Sequence, residues 1–597
     1  MDIKSIKDEI DSLPKGYISN KTINGKTRHY LQWNESGKIK SRYIKNAEYE
    51  TVKAQLERRK ELQSLLKTAE IQTPQAAGIG NEYKTNVVFG DRLDKLVSEA
   101  TKLDTRDCYS DIEKYLYGPV SAKVMVVYGL RRTGKTTLLF QAIGNMNKDR
   151  KAKAFYIKAQ KGQTMDSLCK DINSLYEKGF RYAFLDEITF IDDFIDTASV
   201  LSDIYASMGM KIVISGKDSL GLWLASKNEL YDRTLTIHTT WISFEEHARL
   251  LNTDDVDDYI RYGGTLRAGE YDFDDPKLQD ESVAFRDDES TRRYIDTAIC
   301  RNIQHSLKCY ESGTRFMHLQ ELYEAGELTN AIYRIIENMN HRFVLDVLEK
   351  DFSSSDLKLA EKNLLKEKNL KLRTDSLTKD DKAGITARLM QILEIKNKPD
   401  TEINLREVHI EEIKAYLEAL DLIEKVPIRY AYGVDSERES IAVTQPGMRY
   451  SQAEALVWSL KKDALFADLA EAEKEYIIGK ILDEVKGRML EEIVLSETKR
   501  KLDSRRFDVF KYQFIGGEID MIVYDRKENT SRLYEIKHST EAVKEQCTHL
   551  LKDDECKKIS DMFGEIAGKY VIYRGDSFES DWEISYLNAA DFLTNRV

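Results

Sequence analysis

The sequence predicts a multidomain α/β protein built around a parallel-sheet P-loop core. Three observations predict it. The apolar, β-branched run Lys123–Tyr128 passes through Gly129-Leu130-Arg131-Arg132-Thr133-Gly134-Lys135-Thr136 into a helical stretch beginning at Thr137. From about Asn86 to Leu250, short apolar strands alternate with helical segments, the pattern of βαβ units. A second group of strands, carrying paired acids, follows near the C-terminus. At 597 residues the chain exceeds what one core can organise, so about three to five domains are expected.

Composition limits the functions open to it. The chain is 32% charged and 41% hydrophobic, with a formal charge of −12, so contact with nucleic acid would need local basic patches rather than the whole surface. Its six cysteines show no C-x-x-C spacing, which argues against structural zinc and for a reducing, cytoplasmic setting. No signal peptide is evident, and no apolar run approaches the ~20 residues that span a bilayer. No membrane association is expected.

Residues 1–68 read as a small β-hairpin plus helix module. Tyr17–Ile23, Lys26–Trp33 and Lys38–Ile44 are strand-like, joined by Asn24-Gly25 and by Asn34–Gly37, and a charged helix follows over about Glu48–Lys67. Lys21, Lys26, Arg28, Lys38, Lys40 and Arg42 interleave with Tyr17, Tyr30, Trp33 and Tyr43. That mixture suits either nucleic-acid contact or a small sheet with an aromatic core and solvated lysines. Residues 69–84, around Pro74, form a linker.

The core spans 85–250. Gly129 and Gly134 let successive N–H groups converge on a polyphosphate at a helix N-terminus. Lys135 would neutralise the β/γ oxygens of ATP, and Thr136 would place its hydroxyl on Mg2+. Downstream, Tyr182-Ala-Phe-Leu-Asp186-Glu187 is an apolar strand ending in two acids, a Walker B arrangement. Asp186 would hold Mg2+ through water and Glu187 would activate the attacking water. Ser215, at the carboxyl end of the strand Lys211–Ile214, is either a γ-phosphate sensor or an ordinary turn serine.

These motifs resemble a known family. Residues 129–139, Phe184-Leu-Asp-Glu-Ile188, 214–219, Tyr231-Asp-Arg-Thr234, Ile242-Ser-Phe-Glu-Glu246 and Tyr262-Gly-Gly264 resemble archaeal and bacterial AAA-type P-loop ATPases that carry a nuclease-like C-terminal domain. The resemblance implies that Arg233 completes a nucleotide site, in its own chain or across a homo-oligomer interface. The family's Gly before that arginine is here Asp232. An exposed ion pair is the other reading of Arg233.

Acids crowd 254–289 without calcium-loop spacing, as in a solvated acidic loop. The helical pattern continues over 291–396, and 251–396 resembles the family's helical lid. Within 397–474, Leu405–Tyr450 reads as a winged helix, with Ile410, Ile413, Leu417 and Leu420 on one helical face. Its acids, Glu411, Glu412, Glu418 and Asp421 against Lys414, suit a structural or protein-contact role better than DNA reading.

Residues 475–597 carry a second chemical site. The strand Gly517–Val523 and the strand Arg532–Lys537 alternate their side chains, so Glu518 and Asp520 share one face and Glu535 and Lys537 share another. Asp520, Glu535 and Lys537 can then converge, two carboxylates holding Mg2+ or Mn2+ and the lysine serving water or developing charge. Upstream, Glu491 falls on the apolar arc of Leu490, Ile493, Val494 and Leu495, whereas Glu492 falls outside it, which favours Glu491 as a third ligand. Glu491, Asp520, Glu535 and Lys537 resemble the motif of the restriction-endonuclease-like PD-(D/E)XK superfamily, with Gln546 as its extra polar residue. Together the motifs predict an ATPase controlling a metal-dependent DNA nuclease. The alternative is a nucleotide-dependent switch with a silent nuclease-like fold that recruits a protein partner or regulates DNA occupancy.

Overall fold

The computed structural model describes residues 83–594, apart from 192, 217–218, 228–229, 267–283, 310–315, 351–404, 432–437 and 463–470, together with most of 13–59. The chain divides into two units, Met1–Glu82 and Tyr83–Val597. The Asn24-Gly25 turn, the residues of the expected linker up to 82, the acidic stretch 267–283 and the lid residues 351–396 lie outside the described residues.

In the first unit β1 (Tyr17–Ile23), β2 (Lys26–Glu35) and β3 (Lys38–Ile44) form an antiparallel meander. Leu31 and Ile44 bury with Val52 and Leu56, giving one small apolar cluster.

The second unit opens with a six-stranded sheet. Its strands are β4 (Val87–Val88), β5 (Val124–Tyr128), β6 (Ala154–Lys158), β7 (Tyr182–Asp186), β8 (Lys211–Ser215) and β9 (Thr234–His238), in the order β4-β6-β7-β8-β5-β9. All pairs are parallel except β4 with β6. Every residue of β5 and β8 is buried, as expected of strands covered by helices on both faces. Because β8 lies between β5 and β7, the phosphate loop after β5 and the acids after β7 flank the end of β8. That end is Ser215.

Helices Asp288–Tyr294, Arg301–Cys309, Met317–Glu324 and Leu328–Lys350 follow. The helix Glu407–Ala419 then leads into β10 (Ile423–Tyr430) and β11 (Arg438–Val443), an antiparallel pair, and into the helix Pro446–Ser459. Ile413, Leu417 and Leu420 are buried, as their spacing predicts. The hairpin does not end its own domain, however. β10 pairs in parallel with β12 (Phe507–Phe514), Ile428 opposite Lys511, and so joins a sheet completed by β13 (Gly517–Asp525), β14 (Thr530–Ile536), β15 (Glu565–Tyr573), β16 (Phe578–Glu579) and β17 (Ser585–Asn588). The order is β11-β10-β12-β13-β14-β15-β17-β16.

The 31-residue helix Glu471–Lys501 ties the parts together. Ile478, Ile481, Leu482, Val485, Met489 and Ile493 recur at three- and four-residue steps and are buried. They share one apolar core with Val509, Met521 and Tyr534 of the C-terminal sheet and with Phe244, Tyr259 and Ile260 beside the ATPase sheet. Among the described residues no helix is long and apolar enough to cross a membrane.

Candidate functional sites

The phosphate loop is shaped by backbone that most residues avoid. Gly129 has φ 152° and packs so closely that a Cβ there would sit 2.2 Å from the Thr239 hydroxyl. Gly134, the residue before the helix Lys135–Gly144, has φ 83°. Arg132 also takes positive φ, 64°. Thr133 ties the loop inward, its hydroxyl donating to the Leu130 carbonyl at 2.8 Å. The Lys135 ammonium donates to the Gly129 and Leu130 carbonyls at 2.8 and 2.6 Å. Burial pulls its pKa down to about 8, against the opposing pull of Glu187 and Asp186.

Asp186 is the centre of this site. Its carboxylate accepts from Thr136 at 2.9 Å, from the Tyr156 hydroxyl at 2.9 Å, from the Glu187 N–H at 3.0 Å, and from the Ser215 hydroxyl. Glu187 follows in left-handed backbone, φ 56°, which turns the chain sharply just past the strand. The sheet therefore brings Lys135, Thr136, Asp186, Glu187 and Ser215 together, with Thr137 on the first turn of the same helix. The hydroxyl of Thr136 and a carboxylate oxygen of Asp186 are hard donors already in contact, which suits Mg2+.

Arg233 lies elsewhere. Its carbonyl accepts from the N–H of Val124, the first residue of β5, so it sits at the opposite end of the sheet from the loop that follows Tyr128. Its guanidinium pairs with Asp203 at 2.9 Å, both half exposed.

Sequence reasoning missed the group that braces the loop from below. Arg106, 6% exposed, donates to the Thr133 and Thr239 carbonyls at 2.8 Å, to the Trp241 carbonyl at 2.9 Å, and to both oxygens of Glu246 at 2.9 and 2.7 Å. Glu246 is the last residue of the Ile-Ser-Phe-Glu-Glu motif, on a helix capped by Ser243. Nothing local to Arg106 announces this, since its partners lie 27 to 140 residues away.

The second site lies where the helix Glu471–Lys501 crosses β12 and β13. Lys537, just beyond β14, donates to Asp520 at 3.0 Å and to Glu535 at 2.8 Å. Asp520 and Glu535 are 3% and 2% exposed. Burial raises the Asp520 carboxyl against the attraction of Lys537. Burial acts the same way on Glu535, but Lys537 and His549 outweigh it and leave that carboxyl low. Glu491 faces Glu518 and Asp520, each offering an oxygen within 4.8 Å of the others. Glu518 shares the Asp520 face, so the alternation of the strand carried this signal. Glu491 and Glu518 are bridged by Arg488 and Lys511. Glu492 instead pairs with the buried Arg449.

Glu535 meets the cluster through Lys537. Gln546 does not join it: it lies in a short turn, Lys544–Cys547, and its amide donates to Ser539 and to the Glu541 carbonyl at 2.6 and 2.9 Å. The oxygens of Glu491, Glu518 and Asp520, three hard donors close to one another, fit a Mg2+ or Mn2+ ion.

A phosphate loop, an acid-tipped strand two places away and a hydroxyl on the strand between them define a P-loop ATPase of the kind with an inserted central strand. More narrowly, residues 121–248 match the family described as AAA domain, and these residues form an AAA-type ATPase domain within a multidomain α/β chain. Residues 2–54 match a Domain of unknown function (DUF6788). No curated protein matches the chain. Similar solved structures include S. cerevisiae Hsp104 in its extended casein complex, with 12% identity over 38% of this chain and 41% of that one, at a TM-score of 0.22. The Aeropyrum pernix ORC1 protein in complex with DNA is similar at 13% identity over 62% and 95%, TM-score 0.20. AMPPCP-bound DnaA from Aquifex aeolicus follows at 16% over 56% and 95%, TM-score 0.18. The chain thus spans 41% of the length of the Hsp104 chain it matches.

Proposed function

We propose that the chain binds and hydrolyses ATP and that its nucleotide state controls a Mg2+- or Mn2+-dependent DNA nuclease in residues 475–597. In this reading 251–396 is a helical lid and 397–474 a winged-helix-like connector between the two sites. The observation that carries the nuclease is the Lys537 ammonium held on Asp520 and Glu535, beside Glu491 and Glu518.

At the first site Lys135 exchanges the Gly129 and Leu130 carbonyls for the β/γ oxygens of ATP. Thr136 and Asp186 hold Mg2+, Glu187 orients the attacking water, and Ser215 fixes the Asp186 carboxylate. Arg233 sits at the far end of its own sheet, so a role in hydrolysis would be across an interface of a homo-oligomer.

At the second site Glu491, Glu518 and Asp520 hold the metal ion, with Glu535 beside them. When bound, the ion supplies a Lewis acid and lowers the pKa of a bound water. Lys537, already fixed by two carboxylates, stands where it can orient that water or meet charge developing on a phosphodiester.

Cleavage of DNA by the purified chain with Mn2+ or Mg2+, with and without ATP, tests this. Loss of cleavage in Asp520→Ala with ATP hydrolysis retained is the expected result. No cleavage in any nucleotide state, with ATP still hydrolysed, would replace the nuclease by a nucleotide-controlled switch.

A further inference from the structure

A cavity of about 430 Å3 opens beside the acid cluster, within the size of small-ligand sites. The helix Leu328–Lys350 contributes Arg342 and Phe343 to its wall, the β10–β11 hairpin contributes Ile428 and Ile441, and Arg488 and Lys511 close the end nearest the acids. Its lining counts five basic side chains against four acidic ones, and one of those acids is Glu491.

The two cations at that end are held in an unusual way. Arg488 donates to Glu491 Oε2 at 2.5 Å and to Glu518 Oε1 at 2.9 Å. Lys511 donates to the same two oxygens, at 2.9 and 3.2 Å. Those carboxylates, with Asp520, are the ones close enough to share a divalent ion. A metal there competes directly with Arg488 and Lys511 for their acceptors. The Lys511 side chain is 7% exposed and that of Arg488 17%, so both are largely withdrawn from bulk solvent and, when displaced, face the cavity they line. A buried cation stripped of its carboxylate needs another anion. The space both already line is the cavity.

We infer that this cavity is a phosphate-recognition site for a nucleotide unit, with Arg488 and Lys511 gripping its phosphate once a divalent cation takes Glu491 and Glu518. The inference rests on the metal-dependent reading of the acid cluster. The ligand is a nucleoside monophosphate or the phosphorylated end of a DNA strand. The arginine fork and the ammonium bind phosphate oxygens, and Phe343, Ile428 and Ile441 offer apolar wall to sugar and base. Metal and nucleotide then bind cooperatively, and linkage requires each to tighten the other by the same factor.

The test uses the full chain carrying Lys135→Ala and Asp186→Asn, which removes nucleotide and metal binding at the ATPase site. Mn2+ binding is read by electron paramagnetic resonance, and dTMP binding by calorimetry. We expect saturating Mn2+ to tighten dTMP about tenfold and saturating dTMP to tighten Mn2+ equally. Lys511→Met and Arg488→Gln each weaken dTMP at least tenfold in Mn2+, while Mn2+ itself binds as well as before or tighter because a competitor is gone. A dTMP affinity indifferent to Mn2+, or unchanged in both variants, overturns the inference even where Asp520→Ala abolishes Mn2+ binding. Mn2+ binding that survives Asp520→Ala overturns the metal reading beneath it. Should one variant unfold, the Mn2+ dependence of the parent decides alone. Comparing dTMP with a 5′-phosphorylated and an unphosphorylated octathymidylate distinguishes a free nucleotide from a strand end as the ligand.

Discussion

The His538 imidazole lies 2.6 Å from a carboxylate oxygen of Asp257. His538 is the residue after Lys537, and Asp257 belongs to the helix Val256–Tyr262, which follows the ATPase sheet. Arg574 and Lys486 converge on the same acid at 2.9 and 3.6 Å. Burial raises the Asp257 carboxyl, but these partners outweigh it and hold its pKa at about 2. At its other end the helix runs into Gly263 and Gly264, and soon after, the Leu266 N–H donates to the Arg132 carbonyl at 2.8 Å. One short helix and the few residues after it therefore connect the phosphate loop to the second site.

If that helix carries the control, Asp257→Asn should leave ATP hydrolysis within about twofold and abolish the effect of ATP on DNA cleavage. Site-to-site couplings usually amount to about 5–150-fold. Cleavage assayed with and without ATP in the variant reads the result, and a retained ATP response would place the coupling elsewhere.

Arg106→Ala removes a buried fork and strands Glu246, 4% exposed, without its partner. Breaking a buried pair in this way costs roughly 3–5 kcal/mol. Urea denaturation should show that loss, together with weakened ATP binding because the Thr133 and Thr239 carbonyls lose their brace. Arg106→Lys should recover only part of it, since an ammonium cannot reach carbonyls and both carboxylate oxygens in one plane.

Burial raises the pKa of Glu497 to about 7, against its contacts with the Phe244 N–H at 2.6 Å and with Lys501. A carboxyl raised on folding adds stability fully present below its unfolded value near 4.5, lost as pH rises through about 7. The span corresponds to about 3 kcal/mol. Glu497→Gln, which cannot ionise, should match the parent near pH 4.5 and exceed it in stability at pH 8. Denaturation of both proteins across that range measures the difference, in which other titrating groups cancel.

Arg233 offers a simple test of assembly. If it works from a neighbouring subunit, ATP turnover per chain should rise with protein concentration, and Arg233→Ala should lower turnover without weakening ATP binding. Equal turnover in parent and variant at all concentrations would leave Arg233 as the partner of Asp203.

The ATPase half was legible because its chemistry is contiguous. Glycines, lysine and threonine lie within one loop, and Asp186 and Glu187 end one apolar strand, so periodicity locates them. Arg106 was illegible because a single arginine carries no pattern and its five acceptors are scattered along the chain. The second site was intermediate. Alternation put Glu518 beside Asp520, yet only the packing of the long helix brings Glu491, Arg488 and Lys511 to them. Helical spacing located the helix before β10, and the winged-helix reading of Leu405–Tyr450 implied a hairpin, but no local rule says that a hairpin will be extended by a strand from a later region.

That extension also governs how the chain can be made. Ile428 waits for Lys511, roughly eighty residues downstream, before its free edge is covered. During synthesis the hairpin must leave the ribosome with one row of backbone donors and acceptors bare, an invitation to pair with another nascent chain. A fragment ending before Phe507 would keep that edge for good. Such fragments should aggregate, and fragments beginning after the hairpin should expose the matching edge of β12.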